Sequence, residues 1–298
     1  MRALSFSLLT HNPPMQWQTT RFALDLSRPL VMGIVNVTPD SFSDGGRFAS
    51  TRTALEHCEQ LIREGADILD LGGESSRPGI APVGLQEERA RVMPVVREAV
   101  RFGLPISIDT YKPEIMREAL DLGVDVVNDI WALRQPGALD VVAAHASCGV
   151  CLMHMHGEPM TMQRSPLQGD AVPRVREFLR ERSDALRAQG VSVARIAWDP
   201  GIGFGKTVEQ NFALLARQRE LLHDGYPLLA GWSRKSSLGH VTGAPMPERM
   251  VPSVAAALLA VDRGAAIVRV HDVRETVAAL KVWSATQAAQ GGQAGSIT

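Results

Sequence analysis

The chain has 298 residues, 45% of them hydrophobic, ample for a large buried core and within reach of a single α/β domain. Its net charge of −1 offers no basic field for nucleic acid or an anionic membrane. Three cysteines, an odd count, argue against a disulfide framework; the N-terminal stretch lacks a signal-peptide pattern, and no apolar run reaches membrane length, so a cytoplasmic protein is expected.

In chain order, residues 1–14 read as an N-terminal extension and 16–26 as a short hairpin. Short apolar runs follow at 31–37, 68–71, 106–108, 124–127, 150–153, 195–198, 228–230 and 266–270. They are β-branched, scarcely alternating and bounded by Gly, Pro or Asp, as suits strands buried on both faces. Helical patterns lie between and after them at 52–64, 85–101, 113–120, 137–146, 172–189, 207–216, 251–263 and 274–286. Gly65, Gly103, Gly123, Gly190 and Gly264 supply helix stops. Residues 287–298 read as a flexible C-terminal tail, which leaves 15–286 as one domain. The alternation predicts a single (β/α)8 TIM barrel with a short N-terminal β-hairpin. An open doubly wound sheet fits the same count.

A barrel of this kind carries its site at the C-terminal strand ends. Those ends hold Asn36, Glu74 to Pro78, Asp109, Asn128 with Asp129, His154 with His156, Asp199, Ser233 to Ser236, and Arg269 with His271. One polar strand end is usually a cap; eight round one mouth need a polar ligand to offset their desolvation. Arg269 and His271, two apart on a strand, share a face and suit an anion such as phosphate. Salt bridges to Asp272 or Glu275 are the alternative. Asp109, Asn128 and Asp199 suit the amino–imino edge of a flat heterocycle. A divalent metal at Asp109, Asp199 and His271, or general acid–base work by the carboxylates, fits the same residue types.

Three other patterns carry less. Residues 201–207 approach a phosphate-binding loop, but Pro200 stands where its first glycine belongs. Cys148, Cys151, His154 and His156 approach zinc-ligand spacing, yet they crowd the start of a buried strand, and Cys151 reads as core. Gly72, Gly73 and Gly79 lack dinucleotide-loop spacing.

The segment Asn36-Val-Thr-Pro-Asp-Ser-Phe-Ser-Asp-Gly-Gly46 resembles one signature of the dihydropteroate synthases, and Asp70-Leu-Gly-Gly-Glu-Ser-Ser-Arg-Pro-Gly79 resembles the other. Ser107 to Thr110, Val127 to Ile130, Leu152 to Met155, Asp199 to Phe204, Ser233 to Ser236 and Arg269 to His271 are similar to further family segments in the same order. The resemblance implies a transferase that joins (7,8-dihydropterin-6-yl)methyl diphosphate to 4-aminobenzoate, giving 7,8-dihydropteroate and diphosphate by an SN1-like path in folate biosynthesis. Sulfonamides inhibit this family's step.

It implies catalytic roles for Asp44, Lys235, Arg269 and His271. It implies a pterin site of Asp109, Asn128, Ile130, Met153, Asp199, Phe204, Gly231 and Lys235. Asn36, Ser76, Arg269 and His271 would hold the diphosphate, with Asn36 also touching Mg2+. Phe42, Ser76, Arg77, Pro78, Phe204, Lys235 and Ser236 would form the aminobenzoate side. A homodimer through outer helices is implied, with 254–259 as a candidate face. Ser76 and His156 stand where the family commonly has Thr and Gln. Two rivals are the pterin domain of a corrinoid methyltransferase and a non-catalytic pterin-binding paralogue.

Overall fold

The computed structural model describes residues 16–37, 46–75 and 81–293. The chain enters through an antiparallel hairpin, β1 (Gln16–Gln18) and β2 (Ala23–Asp25). Eight parallel strands then close into a barrel in chain order: β3 (Leu30–Asn36), β4 (Ile68–Gly72), β5 (Ile106–Asp109), β6 (Val126–Asp129), β7 (Gly149–Met153), β8 (Ile196–Asp199), β9 (Leu228–Ala230) and β10 (Ala265–Val270), which returns to β3. Closure decides between the two sheet topologies that strand counting allowed.

The outer layer comprises α1 (Gly46–Glu64), α2 (Leu85–Ala99), α3 (Pro113–Asp121), α4 (Ala138–Ala144), α5 (Ala171–Ala188), α6 (Val208–Ala216), α7 (Ser236–Thr242), α8 (Met250–Asp262) and α9 (Val273–Gln293). Outward strand residues such as Val31, Val35, Leu69 and Leu71 pack into one core with the inner helix faces. Several elements differ from the sequence reading. The pattern passed over α7, and α9 continues beyond 286 to Gln293, within the stretch read as tail. Among the described residues no helix is long and apolar enough to cross a membrane.

Inward residues change character along the barrel axis. The lower layer is apolar: Met32, Ile68, Val126, Cys151, Ala197, Leu229 and Ile267 form a buried cluster sealed by Trp17 of β1. The Trp17 ring is fully buried and its Nε1 donates to the Arg195 carbonyl at 2.9 Å. Side chains alternate along a strand, so the next inward residue stands two positions on. That step leads from Ile68 to Asp70, Val126 to Asn128, Ala197 to Asp199 and Ile267 to Arg269. Polar chemistry thus begins one layer above a dry floor.

The run read as a strand from 124 starts instead at Val126. Asp125 is committed elsewhere: its fully buried carboxylate accepts from Ile106 N at 2.9 Å and from Arg21 Nη2 at 2.5 Å. This ties the hairpin to the barrel.

Candidate active site at the barrel mouth

A cavity of about 270 Å³ opens above the dry floor. Its lining includes Asn36, Asp109, Asn128, Ile130, Met153, Asp199, Phe204, Gly231, Lys235, Ser236, Arg269 and His271. Every expected site residue that is described therefore faces one space. Phe42, Asp44, Ser76, Arg77 and Pro78 lie outside the described residues.

The floor of this cavity is an ion-pair cluster centred on a carboxylate that the sequence reading passed over. Asp70, fully buried on β4, accepts from Arg269 Nε at 2.6 Å and from Asn128 Nδ2 at 3.1 Å. Its second oxygen, Oδ1, is buried without a hydrogen-bond partner. Arg269 Nη2 donates to Asp109 Oδ2 at 2.6 Å. The guanidinium thus bridges two carboxylates, and the anion end and flat-ring end expected from sequence share one residue. Burial opposes the Arg269 charge, but Asp70 and Asp109 outweigh it and raise its pKa. Burial pushes Asp109 up to about 7; Arg269 opposes the rise, while Asp70, Glu88 and Asp129 add to it.

The alternative pairing of Arg269 with Asp272 does not occur, because Asp272 is taken by Arg234 at 2.6 Å. The three-residue metal arrangement of Asp109, Asp199 and His271 is not found: among the described residues no group of three or more His, Cys, Asp and Glu side chains is arranged to hold an ion.

The opposite wall is built on β8 and the turn after β9. Asp199 Oδ1 accepts from Gly201 N at 2.7 Å. Burial raises the Asp199 pKa, and the Gly201 N–H and Lys235 charge partly oppose it. Lys235 Nζ stands 4.4 Å from the Phe204 ring centroid, a cation–π arrangement. Burial lowers its pKa to about 8 against the pull of Asp199. Arg234, at φ 58, takes the left-handed conformation that turns the chain from β9 into α7. His271 Nδ1 lies 2.9 Å from Ser233 Oγ, which also accepts from His271 N at 3.1 Å.

The loop after β8 presents Ile202, Gly203 and Phe204 to the cavity. It packs closely on the segment after β7: a Cβ at Gly201 would stand 1.9 Å from His154 O, and one at Gly205 2.1 Å from His156 O. Both glycines have left-handed φ, 67 and 66. The glycine-rich run is therefore a close-approach loop, not a phosphate cradle. His156 meets it through its backbone, its N–H donating to the Phe204 carbonyl at 3.5 Å, and is absent from the cavity lining. Burial, with the nearby Lys206 charge, pushes His154 down to about 2. Cys151 lies in the barrel core, whereas Cys148 Sγ accepts from Arg195 Nη2 at 3.2 Å.

A second ion-pair group sits under the exit of β4. Lys112 Nζ donates to Glu74 Oε2 at 2.5 Å and to buried Glu88, and Tyr111 OH donates to Glu74 Oε1 at 3.0 Å. Glu74, named among the strand-end residues, lines the cavity, and so do Met162, Met246 and Arg249, which the sequence reading passed over. Glu74 sits at a strand exit and was legible in position. The other three arrive on loops and offer no periodic signal.

A family profile described as pterin binding enzyme matches residues 32–271. A dihydropteroate synthase of Neisseria meningitidis serogroup B is 52% identical over 275 residues, 90% of this chain and 96% of the relative. The chain belongs to the dihydropteroate synthase family. Solved family structures agree. The Burkholderia cenocepacia enzyme complexed with 7,8-dihydropteroate superposes with a TM-score of 0.86 at 53% identity, covering 94% of this chain and 99% of that one. The Xanthomonas albilineans enzyme with 4-aminobenzoic acid superposes at 0.86 and 49% identity, covering 92% and 99%. The described residues Asn36, Glu74 and Ser75, from the two segments that resemble family signatures, line the same cavity.

Proposed function

We propose that the chain condenses (7,8-dihydropterin-6-yl)methyl diphosphate with 4-aminobenzoate, releasing 7,8-dihydropteroate and diphosphate. One observation carries this reading. Asp109, Asn128 and Asp199 face a single cavity that Arg269, His271 and Lys235 also line. The carboxylates and amide match a flat, amide-rich ring edge, and the cations match the leaving group.

The exchange breaks the methylene C–O bond, with the electron pair leaving on diphosphate. It forms a C–N bond to the arylamine, which then loses a proton to solvent. Arg269 uses Nε and one Nη2 hydrogen in its carboxylate pairs, so Nη1 can meet phosphate oxygens. Arg269 and His271 would stabilise charge growing on the leaving group. If departure precedes attack, the cationic methylene gains from the nearby carboxylates, and Asp44 would add to them. Positioning of the arylamine by Phe204, Lys235 and Ser236, with Phe42, Ser76, Arg77 and Pro78, matters more than a strong base.

Mg2+ favours oxygen ligands and typically uses few protein donors beside substrate phosphates. The Asn36 amide oxygen at the end of β3 fits such a cation brought in with the diphosphate, which would neutralise leaving-group charge. All three cysteines are free and buried, which supports a reducing, cytoplasmic setting. The exposed apolar side chains Val251, Leu259 and Val282 on the adjacent helices α8 and α9 support a homodimer through this face.

The test of the activity is direct. The purified chain with both substrates and Mg2+ should release diphosphate and 7,8-dihydropteroate; no turnover above background would sink the reading.

A further inference from the structure

Lys206 has no part in the chemistry above, yet it is only 3% exposed. Its Nζ donates to the carbonyl oxygens of Gly201 at 2.8 Å, Phe204 at 3.1 Å and His154 at 3.2 Å. An ammonium has three N–H donors and no acceptor, so the three oxygens satisfy it completely. Burying a charge is costly even when it is fully hydrogen-bonded. An apolar side chain would fill this space without that cost. Burial lowers the Lys206 pKa to about 7, with Asp199 opposing the fall and Lys235 adding to it, and the three oxygens are what hold the protonated form in place.

Those oxygens come from two loops. His154 follows β7, while Gly201 and Phe204 belong to the loop after β8. The two loops close on each other without room for a Cβ at Gly201 or Gly205. Backbone carbonyls converging at such a junction repel one another unless a cation stands between them. One further tie runs from Gln163 Nε2 to Gly203 O at 2.7 Å, and another from Leu167 N to Gly205 O at 2.8 Å. The junction holds up Phe204, whose ring lies against the Lys235 ammonium, and both residues line the cavity.

We propose that Lys206 is a positioning residue. Its ammonium serves as a built-in cation at the junction of the two loops, and it sets the Phe204 ring, and through that ring Lys235, on the aminobenzoate side of the cavity. The proposal rests on the activity proposed above and adds a residue to it that touches no substrate.

The test compares full-length Lys206→Ala and Lys206→Met chains with the wild type. Steady-state kinetics are run on each substrate, with circular dichroism for folding and calorimetry with 7,8-dihydropteroate. The aminobenzoate KM should rise about tenfold or more and the pterin diphosphate KM by clearly less, since Phe204 and Lys235 also border the pterin side while the displaced wall faces the arylamine. In Lys206→Ala, n-propylammonium should lower the aminobenzoate KM towards the wild-type value. Propanol should not, and neither cation nor alcohol should help Lys206→Met, whose side chain fills the channel. A wild-type aminobenzoate KM in both variants overturns the proposal. So does an equal rise in both KM values, or a raised KM in Lys206→Ala that propylammonium leaves unchanged. Two unfolded variants would make Lys206 a folding residue and overturn it as well. A wild type without turnover sinks the proposed activity instead. Dihydropteroate calorimetry then still decides on Lys206: weaker binding to the variants supports the role, and equal binding overturns it.

Discussion

At the residue scale, the site turns on how buried carboxylates are charged. Asp109, raised to about 7 by burial, is protonated over the acid side of neutrality. A pterin edge that donates to this carboxylate binds its ionised form, so binding below about pH 7 must expel a proton. Pterin affinity should therefore weaken as pH falls, by up to about tenfold per unit for a single group. In Asp109→Asn that share of the slope should vanish, with weaker binding at neutral pH; calorimetry across pH 5.5–8.5 (roughly one and a half units either side of the shifted value) reads both. An unchanged slope would remove Asp109 from the pterin edge. Much of this cluster was legible from strand ends alone. Asp109, Asn128, Asp199 and Arg269 each close or nearly close an apolar run. Asp70 was not singled out, because it sits inside its run, between Leu69 and Leu71. Inward alternation finds it, since it pairs with Ser107 and stands two residues from Ile68, but that rule needs the barrel's inside to be known first.

Elements set those residues in place, and the loops do so more strictly than the strands. The strands could be read because sheets covered on both faces need continuous apolar runs. Helix α7 was missed for a physical reason: its seven residues include Gly239 and three serines or threonines, too short and polar for an amphipathic period. Gly239 itself admits the Arg249 guanidinium, which a Cβ there would meet at 2.3 Å. The close-approach loop after β8 gives a sharper test. Gly201→Ala combines left-handed backbone with a collision against His154 O, whereas Gly225→Ala at φ 78 meets nothing within 4 Å. The first should destabilise by more than ~3 kcal/mol and the second by about 1 kcal/mol, the usual cost of left-handed backbone for alanine. Urea denaturation distinguishes them, and equal losses would show that the two loops can separate without cost.

The whole molecule divides its tasks along the barrel axis and around its outer wall. Below lies the apolar layer, closed from beneath by Trp17; above lie the charges; outside, α8 and α9 leave Val251, Leu259 and Val282 at 67%, 46% and 69% exposure. Sedimentation should find a dimer that Leu259→Glu with Val282→Glu converts to monomer while leaving dihydropteroate binding in place. A monomeric wild type would dismiss this face as an interface. The hairpin beneath the barrel also bears on the order in which the chain folds. Trp17 bonds to a carbonyl 178 residues later, and Arg21 to a carboxylate 104 residues later. The hairpin is thus made early in synthesis but has no seat until most of the barrel exists. Closing loops of that span early is entropically unfavourable, so docking belongs after the main barrier. Conservative truncation at Trp17 should accelerate unfolding and leave the folding rate nearly unchanged, a φ-value close to zero. A slowed folding limb would instead put the hairpin in the nucleus. The stopper of this barrel is made before the strands it seals and locks after them.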